Sequence, residues 1–236
     1  MEISSNNPIF NNDFDYYKLR FDELKELTED KLPKSLKLFD IRFRLALSLQ
    51  IGFDSNISYT KTETTKKTYH LILKLNDLWF AYEGLYKLCS EISYLKSNPT
   101  KSDPFTSIKV SEILLDEKVD NFGNCLNDSI YKSNLKNDFM SYLQYLKDNS
   151  KGRTQPRLLE SFKIKVNNNR LPKFNEILSL IYGIRNMYVH NTDTAKSGVD
   201  KYKTKIEALK NCNDFLTLSV LRIAINILED KISEIE

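Results

Sequence analysis

Apolar residues recur along most of this chain at intervals of three and four positions, the spacing of helices that bury one face. The longest such runs lie between residues 66 and 96 and between residues 199 and 232. A polar loop at 54–65 and a linker at 97–103 interrupt the pattern. Because the chain has only 6 glycines and 6 prolines, long helices are favoured over many short strands, and we predict an all-α fold. The predicted helices cover about 13–29, 33–52, 66–96, 105–118, 122–131, 135–147, 155–166, 171–190 and 199–232.

Local residue types predict where several of these helices begin or end. Asp13 is suited to cap the first helix, and Pro33 to open the second. Pro172 suits the first turn of the helix that approaches residue 190. Gly123 and the Asn-rich turns around it predict a division between two of the shorter helices.

Composition restricts the class of protein. With 236 residues, 28% of them charged and 41% hydrophobic, the chain is predicted to bury a substantial core. A net charge of +3 is too small to demand a nucleic-acid partner by itself. We expect a cytoplasmic protein, since no apolar run suggests export or a membrane contact. The sequence has no motif for a metal or cofactor, and its three scattered cysteines are predicted to be reduced thiols: Cys89, Cys125 and Cys212.

The chain has two histidines, and one of them, His190, follows Arg185 by five residues. Asn186 lies between them, and a small polar loop follows His190. On a continuous helix, residues five apart point about 140° away from each other. We therefore predict that Arg185 and His190 meet only if the helix frays between them or if a second copy of the chain contributes one of them.

Residues 185–190, RNMYVH, resemble the R-polar-x-x-x-H motif of the HEPN superfamily, which comprises helical domains of many prokaryotic toxins, phage-defence proteins and CRISPR-associated ribonucleases. The apolar helix before the motif, the long last helix after it and an upstream helix with Trp79, Tyr82 and Glu83 are similar to the family as well. The resemblance implies an all-α HEPN-like helical bundle with extra N-terminal helices. We expect a single domain over 1–236, with a motif-bearing core at about 66–236 and a helical extension at 1–60.

The resemblance also implies a chemistry. Similar domains cleave RNA without a metal or other cofactor, when the ribose 2′-hydroxyl attacks its own 3′ phosphate and leaves a 2′,3′-cyclic phosphate. His190 would transfer the proton, and Arg185 would stabilise the charge on phosphorus. Asn186 would orient the phosphate or the imidazole. A homodimer with a composite active site is implied, since one histidine cannot easily be both acid and base, and the toxin or defence setting suggests an inhibitor or antitoxin protein as a further partner.

Basic residues on both sides of the motif are candidates for RNA binding. They cluster between residues 147 and 173, where only two acidic residues oppose them, and again after residue 195. A solvated surface is the ordinary alternative for any one such cluster. The predicted RNA-binding residues are Arg153, Arg157, Lys163, Lys165, Arg170, Lys173 and Lys196, and Lys201, Lys203 and Lys205 follow them.

Two other interpretations remain open. The domain could be a non-catalytic HEPN-like module that binds RNA or a partner protein and dimerises, as many relatives are. It could also be a helical scaffold in which the helix dipole stabilises His190 and a carboxylate such as Glu176 pairs with Arg185. Glu83 is expected to be a solvated edge residue or a support for Arg185. Some relatives are modified on a tyrosine two residues beyond the histidine; Thr192 occupies that position here.

Overall fold

The computed structural model describes residues 8–54, 62–92, 112–191 and 193–236, without the side chains of 8–10 and 112–117. Within these ranges the chain is all-α and contains no strand, as the sequence predicted. A π-helical turn, Asn127–Tyr131, follows the fourth helix. The helices are α1 (Pro8–Leu27), α2 (Lys34–Ser48), α3 (Glu63–Glu91), α4 (Glu112–Leu126), α5 (Lys136–Asp148), α6 (Thr154–Asn167), α7 (Phe174–His190) and α8 (Tyr202–Ser233).

Helix α8 is the central element of the bundle. It is 32 residues long, and most of its side chains are buried on every side, as expected for a helix surrounded by others. Helices α1, α3, α4 and α5 pack against it. Within this core, Asn213 Nδ2 donates hydrogen bonds to the Leu71 carbonyl of α3 at 3.1 Å and to the Leu209 carbonyl of its own helix at 2.8 Å.

The N-terminal helices share the apolar core with the later ones. Tyr17 of α1 and Phe39 and Phe43 of α2 are fully buried and pack ring against ring. The buried hydroxyl of Tyr17 donates to Asp40 Oδ1 at 2.8 Å, so this polar group does not remain unsatisfied. Helix α1 packs on α8, and α2 packs on α3. The residues predicted as an N-terminal extension therefore contribute large side chains to the same core as the motif-bearing helices.

Several predicted boundaries were wrong. Helix α1 begins at Pro8, so Asp13 lies inside the helix and does not cap it. Helix α3 begins at Glu63, within the predicted 54–65 loop, because the Thr62 hydroxyl accepts a hydrogen bond from the Thr65 amide at 3.2 Å and caps it. The predicted linker at 97–103 lies outside the described residues.

The predicted division at Gly123 was also wrong, because α4 passes through this residue without interruption. A Cβ atom at this position would lie 2.2 Å from Leu171 Cδ2. The glycine therefore serves the close approach of Leu171 to the helix and does not break it.

Helix α7 begins at Phe174, so Pro172 precedes the helix instead of occupying its first turn. The start is fixed by Glu176, whose side chain is almost fully buried and accepts a hydrogen bond from the Lys173 backbone amide at 2.6 Å. Glu176 also accepts from the Ser161 hydroxyl at 2.6 Å and pairs with Lys165 at 2.8 Å, both on α6. These contacts hold α6 antiparallel to α7 and set the position of the motif helix.

Candidate active site

Arg185 and His190 are in direct contact. Arg185 Nη1 lies 3.3 Å from His190 Nε2 and 3.0 Å from Asn186 Oδ1. Helix α7 is continuous through His190, so the prediction that an unbroken helix within one chain keeps these side chains apart was wrong. The 140° argument describes the directions of the Cα–Cβ bonds. It leaves out the length of the arginine side chain, whose guanidinium reaches around the helix to the imidazole at its end.

The contact restricts the hydrogen-bond roles of the two side chains. A guanidinium has donors only, so in this contact Nη1 donates and His190 Nε2 accepts. The side chain is exposed at the last residue of α7, where a substrate can reach it. An exposed imidazole nitrogen in an accepting role can also take a proton from a substrate.

The guanidinium of Arg185 is held in place but is not neutralised. Its Cζ lies 5.4 Å from the centre of the Phe80 ring, a cation–π contact with α3. Its Nε atom is buried and has no hydrogen-bond partner. No carboxylate pairs with it among the described residues, and the expected partner Glu176 is engaged by α6 instead. Arg185 thus keeps a full positive charge and unused donors at the surface end of the motif helix.

Glu83 lies on α3 and makes its hydrogen bond within that helix rather than with Arg185. Its Oε1 accepts a hydrogen bond from Trp79 Nε1 at 2.7 Å. The indole of Trp79 is fully buried and packs against Tyr182 at 5.3 Å between ring centres. Tyr182 lies about one turn before Arg185. This contact therefore fixes the position of α7 along α3 next to the motif.

The loop that follows His190 is anchored by a buried ion pair that the sequence did not predict. Lys205 of α8 is 1% exposed and lies 3.6 Å from Asp193, while its ammonium also donates to the carbonyls of Thr194 at 3.0 Å and Ser197 at 2.9 Å. Burial lowers the pKa of Lys205. Asp193 accepts a second hydrogen bond from the Tyr145 hydroxyl at 2.6 Å. Lys205, which in the sequence extends the basic stretch after the motif, is therefore unable to bind RNA.

The same loop leads into α8 through a second buried carboxylate, Asp138 of α5. It accepts hydrogen bonds from the backbone amides of Asp200 at 2.8 Å and Lys201 at 3.1 Å and from the Thr204 hydroxyl. These groups form the amino end of α8, which a carboxylate stabilises. Asp138 and Asp193 carry no signal in the sequence, because their partners come from distant helices.

The structure divides the predicted RNA-binding residues between the two ends of α7. Gln155, at the start of α6, lies beside Gly183 and Ser179, whereas Ser161 bonds Glu176 near the other end of α7. Arg153 therefore lies on the motif side of Gln155, and Arg157 lies on the opposite side. Arg170 and Lys173 precede α7 and lie about 20 Å or more from its other end, since 17 helical residues span about 25 Å. Lys196 lies in the loop after the motif and is exposed.

Two further predicted residues have partners within the protein. Lys165 is paired with the buried Glu176 at 2.8 Å, and Lys163 donates to Gln144 Oε1 of α5. Their charges therefore help to hold α5, α6 and α7 together. Arg153 and Lys196 are the predicted residues that combine exposure with a place near the motif.

No family model, curated protein or solved structure matches this chain in comparisons with known proteins. The resemblance to the HEPN superfamily therefore depends on residues 185–190 and their helical surroundings. Among the described residues, no group of three or more His, Cys, Asp or Glu side chains is placed to hold a metal ion. Over the same part of the chain, no helix is long and apolar enough to cross a membrane. Cys89 and Cys212 are buried, Cys125 is exposed, and all three are free thiols. Thr192 lies outside the described residues.

Proposed function

We propose that this protein is a metal-independent endoribonuclease of the toxin or phage-defence type, in which Arg185, Asn186 and His190 act on the RNA backbone. The observation that supports the proposal most is the 3.3 Å contact between Arg185 Nη1 and His190 Nε2 at an exposed helix end. This contact joins an imidazole nitrogen in an accepting role to a guanidinium that has no carboxylate partner in the described structure. A proton acceptor beside a fixed positive charge is what cleavage by the 2′-hydroxyl requires.

In the proposed reaction, His190 Nε2 removes the proton from the ribose 2′-hydroxyl. The 2′ oxygen then forms a bond to the adjacent phosphorus, and the bond from phosphorus to the 5′ oxygen of the next nucleotide breaks. The products are a 2′,3′-cyclic phosphate and a 5′-hydroxyl. The guanidinium of Arg185 binds the phosphate oxygens as their charge increases, and Asn186 Oδ1, 3.0 Å from Nη1, keeps it oriented.

The leaving 5′ oxygen needs a proton from a second group. Within the described residues, no hydrogen bond joins His70, the other histidine of the chain, to Arg185 or His190. We therefore include a homodimer in the proposal, in which His190 of a second copy supplies this proton. Arg153 and Lys196 would bind neighbouring phosphates. Because the reaction consumes a 2′-hydroxyl, RNA is the substrate and DNA is not.

The test is cleavage of a mixed-sequence RNA in the presence of EDTA, with the chemical ends of the products identified. We expect the wild type to give cyclic-phosphate ends. His190→Ala should lower the rate by roughly 10²- to 10⁴-fold, as loss of a general base does. Arg185→Lys should lower it by roughly 10²- to 10³-fold, because the ammonium keeps the charge but loses the two-pronged contact with phosphate.

His70→Ala is the matched control, since it removes the other histidine of the chain and should leave the rate unchanged. Circular dichroism would verify that each variant is folded. The proposal is refuted if the folded wild type leaves RNA intact, or if His190→Ala cleaves as fast as the wild type. Binding of RNA by a wild type that does not cleave it would instead establish the non-catalytic module.

A further inference from the structure

The described part of the chain contains an open pocket of about 470 Å³ on the face of the bundle next to the motif helix. It lies where the start of α3, the end of α7, the loop after His190 and the start of α8 meet. Four of its lining residues are aromatic: Phe53, Tyr69, Tyr188 and Tyr202. The volume falls in the range of sites that hold small organic ligands.

The aromatic rings of this pocket are available for stacking. All four are only partly buried, so each leaves part of its ring uncovered. Tyr69 and Tyr188 meet edge to face at 6.3 Å between ring centres, which fixes the two rings relative to each other. Burial raises the pKa of Tyr188, so its hydroxyl is a neutral donor at physiological pH. Rings fixed in this way lose little entropy when a flat ligand stacks on an uncovered face.

Polar groups at the edge of the pocket suit the ribose and phosphate of a nucleotide. Lys196 is exposed there, and its side chain makes no ion pair with any described residue. The hydroxyls of Thr65 and Thr194 also line it and are held by Thr62 and Ser197. Aromatic faces with a nearby cation are the features by which proteins hold single-stranded nucleic acid.

The pocket and the candidate active site share one turn of α7. Tyr188 follows Arg185 by three residues, and side chains at this spacing are neighbours, with about 5–6 Å between their Cβ atoms. An RNA whose base stacks on Tyr188 therefore passes within about one helical turn of Arg185. Lys196 is the cation of the described lining, and Arg185 lies one helical turn before the pocket at Tyr188.

We propose that this pocket binds a nucleobase of the RNA substrate, the base next to the phosphate that Arg185 and His190 act on. This inference rests on the proposed ribonuclease function, because a base bound here gains a role in cleavage only through that phosphate. Stacking tolerates all four bases, so the pocket would position the RNA and would select weakly among sequences.

The experiment is a titration of the protein with the four ribonucleoside 3′-monophosphates, in which ligand-observed NMR measures binding. Ribose 5-phosphate, which has a phosphate and no base, is the control ligand. The variants are Tyr202→Leu, which removes the ring at the start of α8, and Tyr202→Phe, which keeps it. We expect the dissociation constant of Tyr202→Leu to rise by about 5- to 150-fold, and that of Tyr202→Phe to stay near the wild-type value.

Mononucleotide binding is measured without cleavage, so it separates the two proposals. Equal binding of ribose 5-phosphate and the mononucleotides, no binding of any of them, or unchanged binding in Tyr202→Leu would overturn the base pocket, even if the protein cleaves RNA. Ring-dependent binding in a protein that leaves RNA intact would support the pocket and refute the ribonuclease. Where cleavage is observed, Tyr202→Leu should lower kcat/KM by a similar factor with the same product ends.

Discussion

Asp214 of α8 offers a quantitative test of the packing around the central helix. Burial raises the pKa of its carboxyl from the ordinary value of 3.8 to about 7. Lys74 and Lys210 act in the opposite direction and do not compensate for the lost hydration. The fold therefore favours the protonated form of Asp214, whereas the unfolded chain ionises it near pH 4.

The sign and size of the effect follow from this difference. Between pH 3.8 and 7 the unfolded chain has released the proton and the folded chain has kept it, so stability falls as pH rises. The loss is about 1.4 kcal/mol for each pH unit, on the order of 4 kcal/mol in total. About 2 to 3 kcal/mol of this lies between pH 5 and 7. Asp214→Asn cannot ionise, so it should be more stable than the wild type above pH 7 and should lose most of that advantage by pH 5.

Urea unfolding of both proteins at several pH values between 5 and 8 measures this directly. The quantity to follow is the difference between the free energies of unfolding of variant and wild type. In this difference, the pH dependence contributed by all other titrating groups cancels. Asp230→Asn, an exposed carboxylate on the same helix, is the control and should show a difference near zero throughout. The reasoning fails if the Asp214→Asn difference stays constant with pH, since the carboxylate would then have the same pKa folded and unfolded.

Three further substitutions test the loop and the helix contacts around the candidate site, each by urea unfolding at pH 7. Lys205→Met leaves a buried carboxylate and two carbonyls without their partner and should cost about 3–5 kcal/mol; a loss below 1 kcal/mol would contradict the anchoring role. Gly198→Ala should cost more than about 2 kcal/mol, because φ is +78° and the new Cβ would lie 2.4 Å from the Tyr145 ring; a neutral result would contradict this geometry. Gly123→Ala should change stability by less than about 1 kcal/mol, because Leu171 is exposed and can move while alanine favours the helix; a loss as large as that of Gly198→Ala would show that Leu171 is fixed.

The fold class could be predicted because helical periodicity is a local property. Apolar residues at three- and four-residue spacing must lie on one face wherever the chain is helical, so most helices were found with their approximate bounds. The two predicted at 105–118 and 122–131 are the exception, because α4 covers Glu112–Leu126. Their ends were harder to predict. At Gly123 the glycine indicated a break, but the residue whose side chain lies against it, Leu171, is 48 positions away in the sequence.

The buried polar groups of the site could not be predicted for the same reason. Asp138 and Asp193 resemble ordinary surface or loop residues in the sequence. Each becomes buried because another helix supplies its donors, α8 for Asp138 and both α5 and α8 for Asp193. Lys205 lies in an apolar helix and was grouped with the basic residues, although it is 1% exposed. Charge along the sequence does not distinguish a solvated lysine from one that holds a loop.

The basic segment before the motif shows how sequence distance misleads. Lys173 is 12 positions before Arg185 and Arg153 is 32 positions before it, yet Arg153 belongs to the motif end of α7. The turn between α6 and α7 causes this, because antiparallel helices bring the start of one beside the end of the next. A phosphate backbone that passes Arg185 would therefore reach Arg153 and Lys196 before it reached Arg170.

The contact between Arg185 and His190 bears on how the proposed reaction would begin. In the structure, the guanidinium donates to the nitrogen that would take the 2′-hydroxyl proton, so the two groups occupy each other. A phosphate offers Arg185 two anionic oxygens in place of one neutral nitrogen, and charge-assisted hydrogen bonds are stronger than those to a neutral acceptor. Binding of the substrate phosphate would thus free His190 Nε2 beside the ribose. A nitrogen that accepts from Arg185 carries no proton, so the same nitrogen would be ready to take the 2′-hydroxyl proton once it is released. The proton for the leaving oxygen would then have to come from another group.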